Sequence, residues 1–246
     1  MRELCHASIS SVDLGRQVKF GLTNPKSIGG ETLVAVKVAR SINDDRSNKR
    51  IFREAHIIAL LNHKNILPLL GYFVKDSKTH MYVQDQKVDP HPLDIFHGDL
   101  NGTNALISND GHPKLIDFGN CVSPRSPLVD MEHNDLRGGS TVRWMAPESI
   151  DNDGMATAEG DVWAFGMTAL ELFTRERPFR AIENRNSVMV RINKGPSDRP
   201  SEESTCFRMT EEWWSSICSA CWEHDAGDRP QMSIILDRIG AILSED

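Results

Sequence analysis

The sequence has no excess of positive charge. Its 28 lysines and arginines are outnumbered by 35 aspartates and glutamates, a net charge of −7. No basic field exists to draw nucleic acid or an anionic membrane surface. No apolar run is long enough to span a bilayer. The residues from Met1 to Ser11 lack the apolar stretch of a secretory signal. Cysteine is scarce. The five present are odd in number and widely scattered, which argues against a disulfide framework and for a reducing compartment. These absences set the expectation of an intracellular, cytoplasmic chain with no membrane insertion and no nucleic-acid partner. No repeat and no low-complexity tract is visible. What remains is 246 residues of ordinary globular composition, enough to bury a real core in one or two domains.

The chemistry concentrates in one stretch, His97-Gly98-Asp99-Leu100-Asn101-Gly102-Thr103-Asn104, followed by Lys114-Leu115-Ile116-Asp117-Phe118-Gly119. Ala105–Ser108 and Lys114–Ile116 read as short strands, and Asn109-Asp110-Gly111 between them is a hairpin turn signal. Such a hairpin places Asn104 and Asp117 at one end, with Asp99 on the incoming loop. Oxygen ligands of this kind suit a hard divalent cation in the company of phosphates. Asp99 is the group left to accept a proton. The plain alternative is a polar surface hairpin that happens to carry Asp and Asn.

The stretch resembles the catalytic loop and metal-binding turn of the protein kinases, H-R-D-L-x-x-x-N and D-F-G. The separation of Asp99 and Asp117, 117 − 99 = 18 residues, suits that family. Small-molecule phosphotransferases resemble H-G-D-x-x-x-x-N and I-D-F as well. The kinase resemblance implies an α+β, two-lobed fold: a small antiparallel β lobe (12–85) and a mainly helical large lobe (86–246) within one domain spanning 1–246. It also implies ATP and Mg²⁺ as cofactors.

Upstream, Thr32–Val38 reads as a strand, and Lys37 matches the lysine of V-A-I-K, which the resemblance places on the ATP phosphates. A helix is expected from Arg46 to Asn62, with Ile51, Ala55, Ile58 and Leu61 at three- or four-residue steps. Glu54 follows Lys37 by 54 − 37 = 17 residues, where the family carries the glutamate that holds the lysine. The glycine-rich phosphate loop matches at Gly21 alone, since Arg16 and Val18 stand at its other glycine positions. Asn65–Phe73 and Thr79–Val83 read as two further strands. Val83 to His97 then spans only 97 − 83 = 14 residues. The family places two helices there, so this segment is truncated, and Asp89-Pro90-His91-Pro92 interrupts any helix.

Downstream, Arg143-Trp144-Met145-Ala146-Pro147-Glu148 resembles the R-W-M-A-P-E of the tyrosine-kinase-like group, and Thr141 suits a serine/threonine kinase. Gly98 replaces the usual arginine of H-R-D, so activity is expected not to require an activation-loop phosphate. Asp161-Val162-Trp163-Ala164-Phe165-Gly166 opens a helix apolar nearly all round, hence buried. By resemblance Asp161 bonds the backbone of the catalytic loop, and Arg229 pairs with Glu148. Residues 183–209 read as loop-rich, and helices are expected over Glu211–Glu223 and Pro230–Leu243. In the second of these, Met232, Ile235, Leu236, Ile239 and Leu243 form the apolar stripe. Cys218 and Cys221, a lone C-x-x-C, read as small core residues rather than a zinc or redox site. The Trp213-Trp214 pair reads as core and rim.

The resemblance covers roughly residues 32–83 and 93–243. It implies a kinase of the tyrosine-kinase-like group, similar to many fungal sequences, acting on protein Ser/Thr hydroxyls. Asp99 would be the base, Asn104 and Asp117 the Mg²⁺ ligands, and Lys37, held by Glu54, the ATP clamp. Asn101 stands where serine/threonine kinases carry lysine. The alternative is a catalytically impaired pseudokinase that serves as a binding module. A small-molecule phosphotransferase ranks last, because R-W-M-A-P-E and D-V-W-A-F-G are protein-kinase motifs.

Overall fold

The computed structural model describes residues 21–23, 34–38, 45–75, 78–83, 94–108, 110–124, 141–152, 154–206 and 209–245. The phosphate-loop positions Arg16 and Val18 and the Asp89–Pro92 stretch lie outside them. The chain divides into two compact units: residues 1–94 with 105–129, and residues 95–104 with 130–246.

The first unit holds a four-stranded antiparallel sheet of order β1-β2-β4-β3: β1 (Gly21–Thr23), β2 (Val34–Val38), β3 (Leu70–Lys75) and β4 (Lys78–Val83). Its register sets Gly21 opposite Val36 and Lys37 opposite Met81. The strand expected from Asn65 begins only at Leu70. Pro68 has no N–H for a ladder, and the residues before it pair elsewhere. Leu67 N–H donates to Leu115 O at 3.0 Å, and Leu115 N–H donates to Asn65 O at 2.7 Å.

Those bonds fasten the hairpin of β5 (Ala105–Ile107) and β6 (Pro113–Leu115), in which Ala105 lies opposite Leu115. The hairpin was legible from its turn residues. Gly111 takes φ 83°, and Ser108 Oγ donates to His112 O at 2.7 Å, closing the loop. Helix α1 (Asp45–Leu60) buries Glu54, Ala55, Ile57 and Ile58, two of them as the spacing predicts.

The second unit is helical. Its core is built around α3 (Ala158–Thr174), whose Trp163, Met167 and Leu170 are buried with Val188, Ile192, Ile217, Cys218, Cys221, Trp222 and Ile235. The helix begins three residues before Asp161. Thr157 caps it, with Oγ1 accepting from Gly160 N–H at 2.9 Å. It ends before Arg177-Pro178, on Arg175 in the left-handed region at φ 55°. Gly166 permits close packing of α3 against the Ala220–Trp222 turn. A Cβ there would lie 2.7 Å from Cys221 Cβ and 2.8 Å from Trp222 Nε1. Both cysteines of the C-x-x-C are buried thiols, and burial pushes each up to about 12.

Three expectations change here. The 183–209 stretch is not all loop. It contains α4 (Arg185–Ile192), capped by Asn184, whose Oδ1 accepts from Ser187 N–H at 3.1 Å, with Val188 and Ile192 as its buried pair. The helix expected over Glu211–Glu223 widens to π winding over Trp213–Ser219 and tightens to 3-10 over Ala220–Trp222. The wider turn lets adjacent indoles meet different partners. Trp213 packs edge-to-face with Phe173, ring centroids 5.3 Å apart, and Trp214 with Trp222 at 5.7 Å. The last helix, α5 (Met232–Glu245), starts two residues after Pro230. Its buried face is Ile235 and Ile242 flanked by Met232 and Ile239, while Leu236 and Leu243 are exposed. The remaining helix, α2 (Pro147–Asp151), has proline at its start. Among the described residues no helix is long and apolar enough to cross a membrane.

Candidate active site

The loop from His97 to Asn104 is suspended on α3 at two points. Near the start of α3, the Asp161 carboxylate accepts from His97 N–H at 2.6 Å and from Gly98 N–H at 2.9 Å. Burial pushes the Asp161 carboxyl up to about 6 against the pull of those two bonds. About 15 Å further along the helix, Glu171 Oε2 accepts from Gly102 N–H at 3.0 Å. The same oxygen accepts from Trp144 Nε1–H at 3.0 Å. Burial raises the Glu171 carboxyl too, opposed by both bonds. Glu171 therefore ties the loop to the Thr141–Trp144 turn.

Each position in the loop has a structural reason. Gly98 has φ 71°, in the left-handed region that side chains avoid. An arginine in that conformation would be strained. A Cβ on Gly102 would lie 2.9 Å from Glu171 Oε2. His97 is buried, and its Nδ1 accepts from Asp99 N–H at 3.2 Å. Asn101 and Asn104 are buried as well. Asn104 Nδ2 donates to Asp99 O at 2.7 Å. A planar amide so placed directs its carbonyl oxygen the other way, the atom a hard cation takes.

A cleft in this unit opens beside Asp99. Its walls include Leu100, Trp144, Met145, Met155 and Asp161. The segment that forms one side is anchored twice. The Arg143 guanidinium, buried, donates to the carbonyls of Pro178 (2.9 Å), Phe179 (2.7 Å) and Ile182 (2.6 Å). Glu148 is held by Arg229 in a two-bond pair at 2.6 and 2.9 Å. The expected roles of Asp161 and Arg229 are therefore both met.

The first unit carries the other expected residues. Glu54 is buried on α1, which packs against the 3-10 turn Phe118–Asn120. Arg53 Nη2–H donates to Cys121 O. Asp117 precedes that turn with φ 63° and ψ 66°, a conformation uncommon for a non-glycine residue and frequent at functional turns. Lys37 lies in β2 and Gly21 in β1. Only their backbones are described. Asp99 and Asn104 are thus brought together in the second unit, and Glu54 and Asp117 belong to the first. Among the described residues no group of three His, Cys, Asp or Glu forms a metal cluster.

Sequence reasoning missed Glu171 and the contacts of Asn101, whose Nδ2 donates to Asp99 Oδ1 at 3.1 Å. The signal for Glu171 was a carboxylate within the apolar run that follows Asp161.

Comparison with known proteins agrees with the geometry. The family model described as protein tyrosine and serine/threonine kinase matches residues 5–86 and 91–239. The serine/threonine-protein kinase BCK1/SLK1/SSP31 of Saccharomyces cerevisiae is 32% identical over 174 residues, 70% of this chain and 11% of that protein. Mitogen-activated protein kinase kinase kinase 7 of Drosophila melanogaster is 30% identical over 155 residues, 63% of this chain and 21% of its own. The inactive tyrosine-protein kinase 7 of Gallus gallus is 25% identical over 253 residues, 86% of this chain and 23% of that protein. The chain spans less than a quarter of the length of each of these relatives.

Proposed function

Because the chain belongs to the protein tyrosine and serine/threonine kinase family, we propose that it transfers the γ-phosphoryl group of ATP to Ser/Thr hydroxyls of a protein substrate. The observation that carries this reading is the His97–Asn104 loop. Asp99 borders a cleft, its carbonyl is held by Asn104, and the loop hangs from two carboxylates of α3, Asp161 and Glu171. A scaffold has no chemical need for that construction. Asp99 orients the incoming hydroxyl and takes its proton. The cleft beside Asp99 receives the segment bearing the hydroxyl. Asn104 and Asp117 are the residues that would hold Mg²⁺, which when bound neutralises charge on the transferring group. Lys37 pairs with the ATP phosphates, Glu54 holds Lys37, and Gly21, at the start of β1, is the glycine that approaches the nucleotide. Thr141 supports the Ser/Thr preference.

The four cysteines among the described residues are free thiols, which supports a reducing, cytoplasmic location. A second reading, a binding module with little or no transfer, is favoured by the single glycine of the phosphate loop and the 14-residue link from Val83 to His97. Similarity to a protein named inactive points the same way.

Thermal melting with ATP, with and without Mg²⁺, separates the readings, since a ligand raises the melting point only if it binds the folded state. A Mg²⁺-dependent rise that is lost in Asp117→Ala supports the kinase. A cooperative melt indifferent to ATP and Mg²⁺ supports the binding module.

A further inference from the structure

Asn101 stands where the resemblance places a lysine, and the sequence alone counts it as a lost cation. The geometry points to a different role: we infer that Asn101 is a positioning residue that locks the Asp99 carboxylate and backbone for the transfer step. The inference rests on the reading of Asp99 as the base. Asn101 is 4% exposed. Its Nδ2 donates to Asp99 Oδ1 at 3.1 Å and to Asp99 O at 3.0 Å. Its Oδ1 accepts from Thr103 N–H at 3.0 Å and from Thr103 Oγ1–H.

The amide can sit only one way round. Flipped, its oxygen would face the Asp99 carbonyl and carboxylate, and its NH₂ would face the Thr103 N–H. Few side chains satisfy that pattern. Lysine only donates, so it would leave Thr103 N–H and Oγ1–H without this acceptor. Aspartate only accepts, and would set a second carboxylate against the first. Asparagine has one donor end and one acceptor end at the required length.

The consequence is preorganisation. Asn101 fixes the carboxylate through Oδ1, and together with Asn104 it places two amide donors on the Asp99 carbonyl. A base held in its reactive orientation pays no ordering cost in the transition state. Asn101 is then a constructed part of the site.

The test uses the full chain and the variants Asn101→Ala, Asn101→Asp and Asn101→Lys. Phosphoryl transfer to a Ser/Thr peptide and calorimetric binding of ATP with Mg²⁺ are measured side by side. All three variants should lose about ten- to a hundredfold in kcat, with KM and Kd for ATP within twofold of the parent. A rise in kcat in Asn101→Lys, or an unchanged kcat in Asn101→Ala, overturns the inference. Asn101→Asp preserves size and serves if Asn101→Ala does not melt cooperatively.

A second readout needs no activity. In the ¹⁵N-labelled chain, the side-chain NH₂ pair that disappears in Asn101→Ala should exchange slowly with solvent, and should exchange faster in Asp99→Leu. Exchange as fast as that of an exposed asparagine overturns the inference. Slow exchange in a chain that transfers nothing would sustain the brace and reject the catalytic reading of Asp99.

Discussion

Breaking the Glu148–Arg229 pair should cost unequal amounts depending on which partner is removed. The Arg229 side chain is fully buried, whereas that of Glu148 is 27% exposed. Arg229 also donates from Nε to Glu223 O at 3.0 Å and from Nη1 to Glu159 O at 3.0 Å, and its guanidinium lies 5.0 Å from the Trp163 ring centre. Glu148→Ala strands a cation that water cannot reach, and two carbonyls and an indole face replace only part of a carboxylate. The loss should fall in the range for a broken buried pair, about 3 to 5 kcal/mol. Arg229→Met strands a carboxylate that water does reach, so the loss should be smaller, about 2 to 3 kcal/mol. The Glu148→Ala/Arg229→Met double variant should cost less than the sum of the singles, since neither charge is then left alone. All five tryptophans belong to the second unit, so their fluorescence in urea reports the unit that holds the pair. Equal losses in the two singles, or strict additivity in the double, would refute the argument from burial.

Other sites give sharp outcomes. Gly166→Ala should lose about 1 to 3 kcal/mol in the same urea experiment, because its Cβ would enter the space of Cys221 and Trp222. A neutral result would show that the packing there yields. Asp161 makes stability depend on pH with a defined sign. Its folded carboxyl is raised from 3.8 to about 6, so the folded state holds the proton more tightly than the unfolded chain. That contribution is fully present below about pH 4 and is lost as pH climbs through about 6, up to roughly 3 kcal/mol. The stability difference between Asp161→Asn and the parent should therefore shift in favour of the variant from pH 4 to pH 7, and a flat difference would contradict the burial of this carboxyl. Gly98→Arg restores the family's residue but places it at φ 71°. It should lower the unfolding free energy by about 1 to 2 kcal/mol and leave kcat no higher than the parent's, whereas a gain in kcat would show that the loop tolerates the arginine.

Much of the architecture was legible where local chemistry and global packing agree. The β5–β6 hairpin announced itself through Asn109-Asp110-Gly111, α1 through its spacing, and α3 through a run of apolar residues. The contacts of Asp161 and Arg229 were legible only by resemblance, because no local pattern links residues 64 or 81 apart. What escaped was set by tertiary contact. α4 has only Val188 and Ile192 to bury, too few for periodicity to show. The π winding of Trp213–Ser219 follows from where two adjacent indoles must go. Leu236 and Leu243 look like core on a helical wheel, but the buried stripe of α5 is rotated from theirs toward Ile235 and Ile242. In the site, the residue types of the His97–Asn104 loop were readable, and the reasons for Gly98 and Asn101 were not. Those reasons are a backbone angle and a four-bond amide, neither of which leaves a mark in spacing.

The most direct test of the central claim is single-turnover phosphoryl transfer from radiolabelled ATP with Mg²⁺ to a Ser/Thr peptide, comparing the parent chain with Asp99→Asn. The variant should bind ATP with unchanged affinity and lose about a hundredfold or more in the transfer rate, the scale on which a positioned base contributes. Transfer by Asp99→Asn within a few fold of the parent, or no transfer by a parent chain that binds ATP with Mg²⁺, would contradict the account.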